Sequence, residues 1–283
     1  MSKFSIDCRG KPLELGARTH IMGIINCTPD SFYPGSRRPD PARAIEMGVR
    51  MVEEGADILD VGGESSRPGA EPISADEELA RIAPVIEGLL RSVDVPISVD
   101  TYKSAVAAAA LELGAHIVND ISALRLDPAL AATIARYDVP VVLMHMKGTP
   151  KTMQKNPVYR DVVGEVCAYF EERMQAAVNS GIKRERIILD PGIGFGKRLQ
   201  HNYEILRRLN ELSRIGRPIL VGLSRKSFVW RVLGLGPEQA LEGSLAAGTI
   251  AILNGAHILR VHDVEATRRA ATIVDYYLRG EIG

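Results

Sequence analysis

Polar side chains end the short apolar runs along most of this chain. The clearest case is Asp190, which follows Ile187-Ile188-Leu189 and precedes a loop with three glycines in residues 192–196. A carboxylate at the end of a buried strand, beside a turn that lets backbone come close, can hold a flat ligand. The other apolar runs end in the same way, at Asn26, Asp60, Glu64, Asp100, Asn119, His145, Ser224, Lys226, Arg260 and His262.

One group of these side chains is rich in hydrogen-bond acceptors. It comprises Asp100, Asn119 and Asp190, with Lys226 as a compensating cation. A buried carboxylate needs a partner, and a flat heterocycle that carries several N–H donors would supply one.

A second group suits phosphate. The guanidinium of Arg260 can bind phosphate oxygens in a planar fork, His262 lies two residues further on, and the amide oxygen of Asn26 could hold Mg²⁺. The loop at residues 62–69 adds an arginine and two serine hydroxyls, which suit a small carboxylate. The sequence therefore indicates a site for a heterocycle and a phosphate side by side.

The elements that would position these residues alternate regularly. Runs that are apolar throughout indicate strands buried on both faces, hence parallel pairing, and amphipathic stretches between them indicate helices. Eight such β-then-α units predict a (β/α)8 TIM barrel forming a single domain over residues 1–283. A doubly wound sheet is the alternative, but a glycine-rich phosphate loop after the first strand is missing. Residues 4–16 predict a β-hairpin that closes the N-terminal, or bottom, end of the barrel.

The predicted boundaries are as follows. Strands are predicted at residues 20–26, 58–63, 97–100, 117–120, 141–145, 187–190, 219–222 and 258–261. Helices are predicted at residues 41–54, 75–90, 104–113, 128–137, 158–180, 202–213, 237–254 and 264–278. The segment around Trp230 fits neither pattern well, and core packing is the default expectation for that side chain.

Composition limits the partners and the compartment. The 35 basic residues equal the 35 acidic ones, which argues against a nucleic-acid or membrane-surface partner. No apolar stretch approaches the ~18 residues that a membrane span requires, and the N-terminus does not resemble a signal peptide. The three cysteines are scattered, which suits a reducing compartment. We therefore expect a cytoplasmic protein.

The histidines do not predict a transition-metal site. Zinc sites use three close ligands, often at HxH or HExxH spacing, and neither spacing occurs around His145 or His262. The other histidines considered, His116, His201 and His257, are predicted to lie at the surface or at helix ends.

Seven segments together resemble the dihydropteroate synthase family. They are MGIINCTPDSF at 22–32, DVGGESSRPG at 60–69, SVDTYK at 98–103, VND at 118–120, DPGIGFGK at 190–197, GLSRKS at 222–227 and RVHDV at 260–264. The resemblance extends from about residue 4 to residue 277, nearly the whole chain, and seven motifs in order are highly specific.

The resemblance implies a (β/α)8 transferase of folate biosynthesis. This family joins 6-hydroxymethyl-7,8-dihydropterin pyrophosphate to p-aminobenzoate, giving 7,8-dihydropteroate and pyrophosphate. Carried over by motif, Asp100, Asn119, Asp190 and Lys226 would hold the pterin. Asn26, Arg260 and His262 would hold the pyrophosphate, with Mg²⁺ at Asn26. Asp60, Met144 and Gly222 are further predicted substrate contacts, and Asp100, Lys226 and Arg260 are the predicted catalytic residues.

The resemblance also implies a second substrate pocket and a partner. Ser66, Arg67, Pro68, Phe195, Lys226 and Ser227 would form the p-aminobenzoate and sulfonamide pocket. The loop that contains Phe32 and the loop at residues 65–74 would close over the substrates. Members of the family are usually homodimers.

Two departures from the family pattern concern these loops. Ser66 stands where threonine is usual. Tyr33-Pro34 follows Phe32 where the family more often has Ser-Asp-Gly-Gly, and this pair is expected to stiffen the loop. Both changes are expected to shift affinity for p-aminobenzoate and sulfonamides without abolishing activity.

Two other functions share part of the pattern. A pterin-binding methyltransferase of the methyltetrahydrofolate–corrinoid type would use Asp100, Asn119 and Asp190 but has no need for the clusters at 224–227 and 260–262. A non-catalytic pterin-binding protein would be expected to lose the pyrophosphate residues or the loops, and this sequence has both.

Overall fold

A barrel of eight parallel strands forms the centre of the molecule. The computed structural model describes residues 2–28, 40–65 and 69–280. Its barrel strands are β3 (His20–Asn26), β4 (Ile58–Gly62), β5 (Ile97–Asp100), β6 (Ile117–Asp120), β7 (Val141–Met144), β8 (Ile187–Asp190), β9 (Leu220–Gly222) and β10 (Ile258–Val261). Each strand pairs with its neighbour in the sequence, and β10 returns to pair with β3. A parallel bridge between Leu189 and Ile219 joins β8 to β9. The predicted (β/α)8 barrel is confirmed.

The strands are buried on both faces, as their sequences predict. All five residues of β4 are buried, although one of them is an aspartate, and only the last residue of β3 is partly exposed. One side of each strand faces the barrel interior and the other faces the helices, which removes apolar area from water on both faces.

Nine α-helices are formed by the described residues. They are α1 (Pro41–Glu53), α2 (Ala75–Ser92), α3 (Ser104–Leu113), α4 (Leu130–Tyr137), α5 (Val162–Asn179), α6 (Leu199–Arg207), α7 (Ser227–Leu233), α8 (Leu241–Leu253) and α9 (Val264–Arg279). Asp40 and Ser74 cap α1 and α2 by accepting hydrogen bonds from the backbone N–H groups of Ala42 and Glu77. No helix in these described ranges is long and apolar enough to cross a membrane.

Several predicted helix boundaries were wrong. The helix predicted from residue 158 begins at Val162, and the one predicted from 237 begins at Leu241 after a short 3-10 turn. The helix predicted at 202–213 begins at Leu199 and gives way to a 3-10 turn after Arg207. Helix α7 was not predicted, because seven residues give too few turns for a periodic pattern. Trp230, on α7, is partly buried against the core.

The N-terminal hairpin closes the bottom of the barrel, as predicted. Strands β1 (Phe4–Cys8) and β2 (Lys11–Leu15) pair antiparallel around Arg9 and Gly10, whose φ angles are 56° and 87°. Two successive positive φ angles define the tight hairpin turn that matches strand twist. The buried side chains Ile6, Cys8, Leu13 and Leu15 cluster with Met22, Ile58, Ile117, Val142, Ile188, Leu220 and Ile258. These partners lie near the strand starts, and burial of one such large apolar side chain contributes about 1.5–3 kcal/mol.

Two histidines near the bottom of the barrel differ from their prediction. His116 and His257 are buried rather than exposed. Their Nδ1 atoms accept hydrogen bonds from the backbone N–H groups of Ile97 and Ile219, at 3.1 and 3.2 Å. Burial lowers the pKa of both imidazoles, and the neutral ring supplies an acceptor at the start of a strand.

Candidate active site

The predicted site residues meet at the carboxyl ends of the barrel strands, which we call the mouth. Strand register places Asn26 opposite Gly62, Gly62 opposite Asp100, and Asp100 opposite Asn119. On the other side of the barrel, Met144 lies opposite Asp190, and Gly222 lies opposite Arg260. Because parallel strands end at one edge, the fold brings these residues to one level.

Arg260 joins two carboxylates from neighbouring strands. Its Nε donates to Asp60 Oδ2 at 2.6 Å, and its Nη2 donates to Asp100 Oδ2 at 2.7 Å. Asn119 Nδ2 donates to the same oxygen of Asp60 at 2.9 Å. Asp60 has no exposed surface. Its carboxylate links Arg260, the predicted phosphate-binding residue, to Asn119, a predicted pterin-binding residue.

Burial sets the charge state of this cluster. It raises the pKa of Asp100 to about 7, against the opposing attraction of Arg260 and with the help of repulsion from Asp60. The pKa of Arg260 is also raised, since attraction to Asp60 and Asp100 outweighs the effect of its burial. Arg260 therefore stays charged at neutral pH, whereas burial shifts Asp100 toward its neutral form.

Asp190 and Lys226 lie on the other side of the mouth, where their opposite charges interact. Asp190 accepts a hydrogen bond from the Gly192 N–H at 2.8 Å, and burial raises its pKa while Lys226 opposes this. Lys226 donates to the Ile193 carbonyl at 2.6 Å and lies 4.8 Å from the centroid of the Phe195 ring. Burial lowers the pKa of Lys226 to about 8.

His262 presents a neutral ring. Its Nδ1 lies 3.2 Å from the hydroxyl of Ser224. Burial and the nearby charge of Arg260 lower the pKa of His262 to about 4. The ring therefore offers hydrogen bonds to an anion rather than a positive charge. Ser227, half-buried, begins α7 directly after Lys226.

The walls of the mouth are apolar. Met144 clusters with Ile121, Met146 and Met153, and Tyr102 and Phe195 pack against them. A Cβ added at Gly222 would lie 3.6 Å from Lys226 Nζ and 3.8 Å from Arg260 Cβ. Glycine at this position therefore keeps space open between the two cations.

The described residues contain no group of three His, Cys, Asp or Glu side chains that could hold a metal ion. Mg²⁺ usually keeps several waters and binds one or two protein oxygens together with substrate phosphates. Asn26, half-buried at the end of β3, fits an ion of that kind, which phosphate oxygens would hold in large part.

The predicted loop residues Phe32, Ser66, Arg67 and Pro68 lie outside the described residues. The two flanks of the second loop are firmly anchored. Lys103 Nζ donates to Glu64 at 2.6 Å and to Glu78 at 2.5 Å, and Glu64 also accepts from the Ile73 N–H at 3.0 Å. The carboxylate of Glu64 therefore holds the backbone of residue 73, and Lys103 links the same carboxylate to Glu78 on α2.

Lys197 is a buried lysine at the mouth that was not among the predicted site residues. Its Nζ lies 2.9 Å from His145 Nδ1 and donates to the carbonyls of Gly192 and Phe195 at 2.9 and 3.0 Å. The only signal in the sequence was its place at the end of the 190–197 motif, where a lysine is usually exposed.

A cleft of about 370 Å³ lies at the opposite end of the barrel. Two arginines that line it, Arg18 and Arg268, both form ion pairs with Asp57. None of the predicted site residues lines this cleft.

Comparisons with known proteins identify the family of this chain. Residues 22–262 match the family described as pterin binding enzyme. The dihydropteroate synthase of Escherichia coli (strain K12) is 48% identical over 267 residues, which cover 94% of each chain. The chain belongs to the dihydropteroate synthase family. The predicted resemblance is confirmed, and with it an enzyme of the transferase class that acts in folate biosynthesis.

Solved dihydropteroate synthases have the same fold. The Xanthomonas albilineans enzyme with 4-aminobenzoic acid is 44% identical, with a TM-score of 0.92 over 99% of this chain and 100% of that one. The Yersinia pestis enzyme, in complex with a sulfonamide drug, is 43% identical, with a TM-score of 0.93 over 98% and 100%. The roles of individual side chains in this member of the family stay predictions.

Proposed function

We infer that this chain catalyses the dihydropteroate synthase reaction. It would join 6-hydroxymethyl-7,8-dihydropterin pyrophosphate to p-aminobenzoate and release pyrophosphate. The observation that carries this inference is the meeting of the Asp60–Arg260–Asp100 cluster with Asp190 and Lys226, whose charges interact, in one barrel mouth. An acceptor-rich pocket for a heterocycle thus adjoins a cation suited to phosphate.

The pterin would lie between the acceptors on β5, β6 and β8. Asp190 would accept from the amino and ring N–H groups, with Asn119 and Asp100 completing the edge. These side chains are largely buried, so hydrogen bonds formed there are shielded from water, and an unsatisfied group carries a large penalty. Met144 would contact the flat ring.

The pyrophosphate would lie against Arg260, His262 and Asn26. Among the described residues, Nε and Nη2 of Arg260 hold the two carboxylates, which leaves Nη1 for a phosphate oxygen. We propose Mg²⁺ as the metal cofactor, with Asn26 as its protein ligand; bound with the pyrophosphate, it would supply charge neutralisation of the leaving group.

The reaction exchanges one bond to the pterin methylene carbon. The C–O bond to pyrophosphate breaks, and its electron pair leaves on the pyrophosphate oxygen. The aniline nitrogen of p-aminobenzoate uses its lone pair to form the new C–N bond. Arg260 would stabilise negative charge on the leaving oxygen, and Asp100 would stabilise positive charge at the methylene. The amine nitrogen loses its proton after attack, so no strong general base is required.

The p-aminobenzoate site would adjoin Lys226. Phe195 and Ser227 lie beside that cation, and Ser66, Arg67 and Pro68 are proposed to complete the pocket. A sulfonamide that imitates p-aminobenzoate would compete there. Lys226 would thus touch both substrates, since its charge interacts with Asp190 and its ammonium lies 4.8 Å from the centroid of the Phe195 ring.

Product formation from defined components tests the reaction. Purified protein would be incubated with the dihydropterin pyrophosphate, p-aminobenzoate and Mg²⁺, and dihydropteroate would be detected by mass. We expect product only with both substrates, and EDTA should lower the rate at least about tenfold, with recovery on adding Mg²⁺. Tight pterin binding without product would favour the methyltransferase or a non-catalytic pterin-binding protein, and a methyltetrahydrofolate assay would distinguish these two.

We also propose a homodimer formed through α7, α8 and α9. These helices pack in sequence against one another and expose Val232, Leu233, Ile250, Leu253, Ile273, Tyr276 and Tyr277. An apolar face of this kind is typical of a protein interface. Light scattering after gel filtration should give twice 30.8 kDa, and Ile273→Glu should give the monomer mass.

A cytoplasmic location is the matching proposal for the compartment. The three cysteines are free thiols, which suits reducing surroundings. Fractionation of cells that express the tagged protein would test it.

A further inference from the structure

The loop after β8 is held by side chains rather than by regular backbone pairing. Within residues 192–196, every carbonyl accepts a hydrogen bond from a side chain. The Lys197 amine donates to the carbonyls of Gly192 and Phe195, and the Lys226 amine donates to that of Ile193. The side chains of Gln154 and Tyr159 donate to the carbonyls of Gly194 and Gly196. Two lysines therefore fix three of the five carbonyls, and one of them lies in the proposed substrate site.

Lys197 lies where this loop packs against the end of β7. A Cβ at Gly192 would lie 2.0 Å from the His145 carbonyl oxygen, and one at Gly196 would lie 2.6 Å from the Lys147 carbonyl oxygen. The loop and the end of β7 are therefore too close together to leave room for a side chain at these two glycines. The Lys197 amine enters this interface from the end of the loop. Only 3% of Lys197 is exposed.

Each N–H donor of the amine has an acceptor. An ammonium group has three N–H donors, and four acceptors lie within hydrogen-bond distance: Gly192 O, Phe195 O and His145 Nδ1 at 2.9–3.0 Å, and His145 O at 3.3 Å. Burial lowers the pKa of both Lys197 and His145. A neutral amine would still keep two N–H donors for the two carbonyls and could accept from His145, so the loop is held in either protonation state.

We propose that Lys197 is a positioning residue for p-aminobenzoate. By fixing the carbonyls of Gly192 and Phe195, it sets the conformation in which the Ile193 carbonyl and the Phe195 ring hold Lys226. This inference rests on the proposed function. The backbone of Asp190 is held without the amine, because its carbonyl accepts from the His145 N–H at 2.9 Å, and only the bond from the Gly192 N–H to its carboxylate depends on the loop. The pterin side of the site should therefore depend less on Lys197 than the p-aminobenzoate side.

The test compares two buried cations that hold backbone at opposite ends of β8. Lys197→Met keeps length and volume but removes all donors. The control is Arg217→Met, since buried Arg217 donates to the carbonyl of Ile187 at 2.9 Å, at the start of the strand. Both variants should melt at lower temperature than the wild type. We expect Lys197→Met to raise KM for p-aminobenzoate about tenfold and KM for the pterin pyrophosphate less than about threefold, and Arg217→Met to leave both within about twofold.

The outcomes separate the inference from the function beneath it. Equal KM values in Lys197→Met and the wild type, or equal increases for both substrates, would overturn the positioning role while the wild type still makes product. A wild type that makes no dihydropteroate would overturn the function itself.

A second variant decides the matter if Lys197→Met does not fold. His145→Phe keeps the ring packed against Tyr169, at 4.8 Å between centroids, but removes the Nδ1 partner of the amine. It should raise KM for p-aminobenzoate about threefold with little change for the pterin substrate, and an unchanged KM for p-aminobenzoate would refute the proposal.

Discussion

Arg260 Nε lies 2.6 Å from Oδ2 of Asp60, a carboxylate with no exposed surface. Asp60 was predicted to contact substrate, but a ligand in the mouth cannot reach this buried carboxylate without a rearrangement, so we expect it to act through the residues that it holds. Its other partner is Asn119. The carboxylate thereby couples the orientation of the proposed phosphate-binding side chain to that of a proposed pterin-binding one.

Asp60→Asn tests this coupling. The change keeps the shape but removes the charge that aligns Arg260, and hydrogen bonds to charged groups contribute about 1.5–3 kcal/mol. We expect kcat/KM to fall about 10- to 100-fold. The matched control is Asp57→Asn, three residues earlier, where the carboxylate pairs with Arg18 and Arg268 at the bottom of the barrel. That variant should lose stability with kcat/KM unchanged, and an equal kinetic loss in both would argue against a specific role for Asp60.

Arg260→Ala should discriminate between substrates. Affinity for the pterin pyrophosphate, measured by calorimetry, should fall much more than affinity for the free hydroxymethylpterin, because only the former carries the phosphates. The variant also leaves the carboxylates of Asp60 and Asp100 without their shared cation, which costs stability of about 3–5 kcal/mol. Equal losses for both ligands would contradict a phosphate-binding role.

Asp190→Ala should abolish pterin binding and leave the protein folded. The carboxylate is buried, and its raised pKa shows that burial disfavours its charge, so its loss should not unfold the barrel. We expect at least about a 100-fold weaker affinity for the pterin by calorimetry. Asp127→Ala serves as control, since Asp127 also accepts from backbone N–H groups, of Ser104 and Ala129, but ends no barrel strand. Wild-type pterin affinity in Asp190→Ala would refute the placement of the ring.

The activity should depend on pH through Asp100 and Lys226. Asp100 must be ionised to stabilise positive charge, so kcat/KM should rise as pH increases through about 7. Lys226 must be protonated, so kcat/KM should fall again above about 8. In Lys226→Arg the decline at high pH should disappear, because guanidinium stays charged. A decline at the same pH in that variant would assign it to another group.

The barrel fold and the location of the candidate site could be predicted from the sequence. Runs such as Ile187–Leu189 are apolar on both faces and can be buried only in a parallel sheet covered by helices. Eight of them in register leave Asp100, Asn119, Asp190 and Arg260 at one mouth, and the N-terminal hairpin was equally clear from its turn. Single-domain organisation over residues 1–283 stays a prediction.

Tertiary structure alone decided which of these groups touch. Asp60 and Arg260 are 200 residues apart in the chain, and no local pattern specifies their hydrogen bond, because it arises from closure of β10 against β3. The burial of Lys197 was not predicted, and His116 and His257 were wrongly predicted to lie at the surface or at helix ends. Burying a charged or titratable side chain is costly unless separate segments supply hydrogen-bond partners for it, and those partners become neighbours only in the folded barrel.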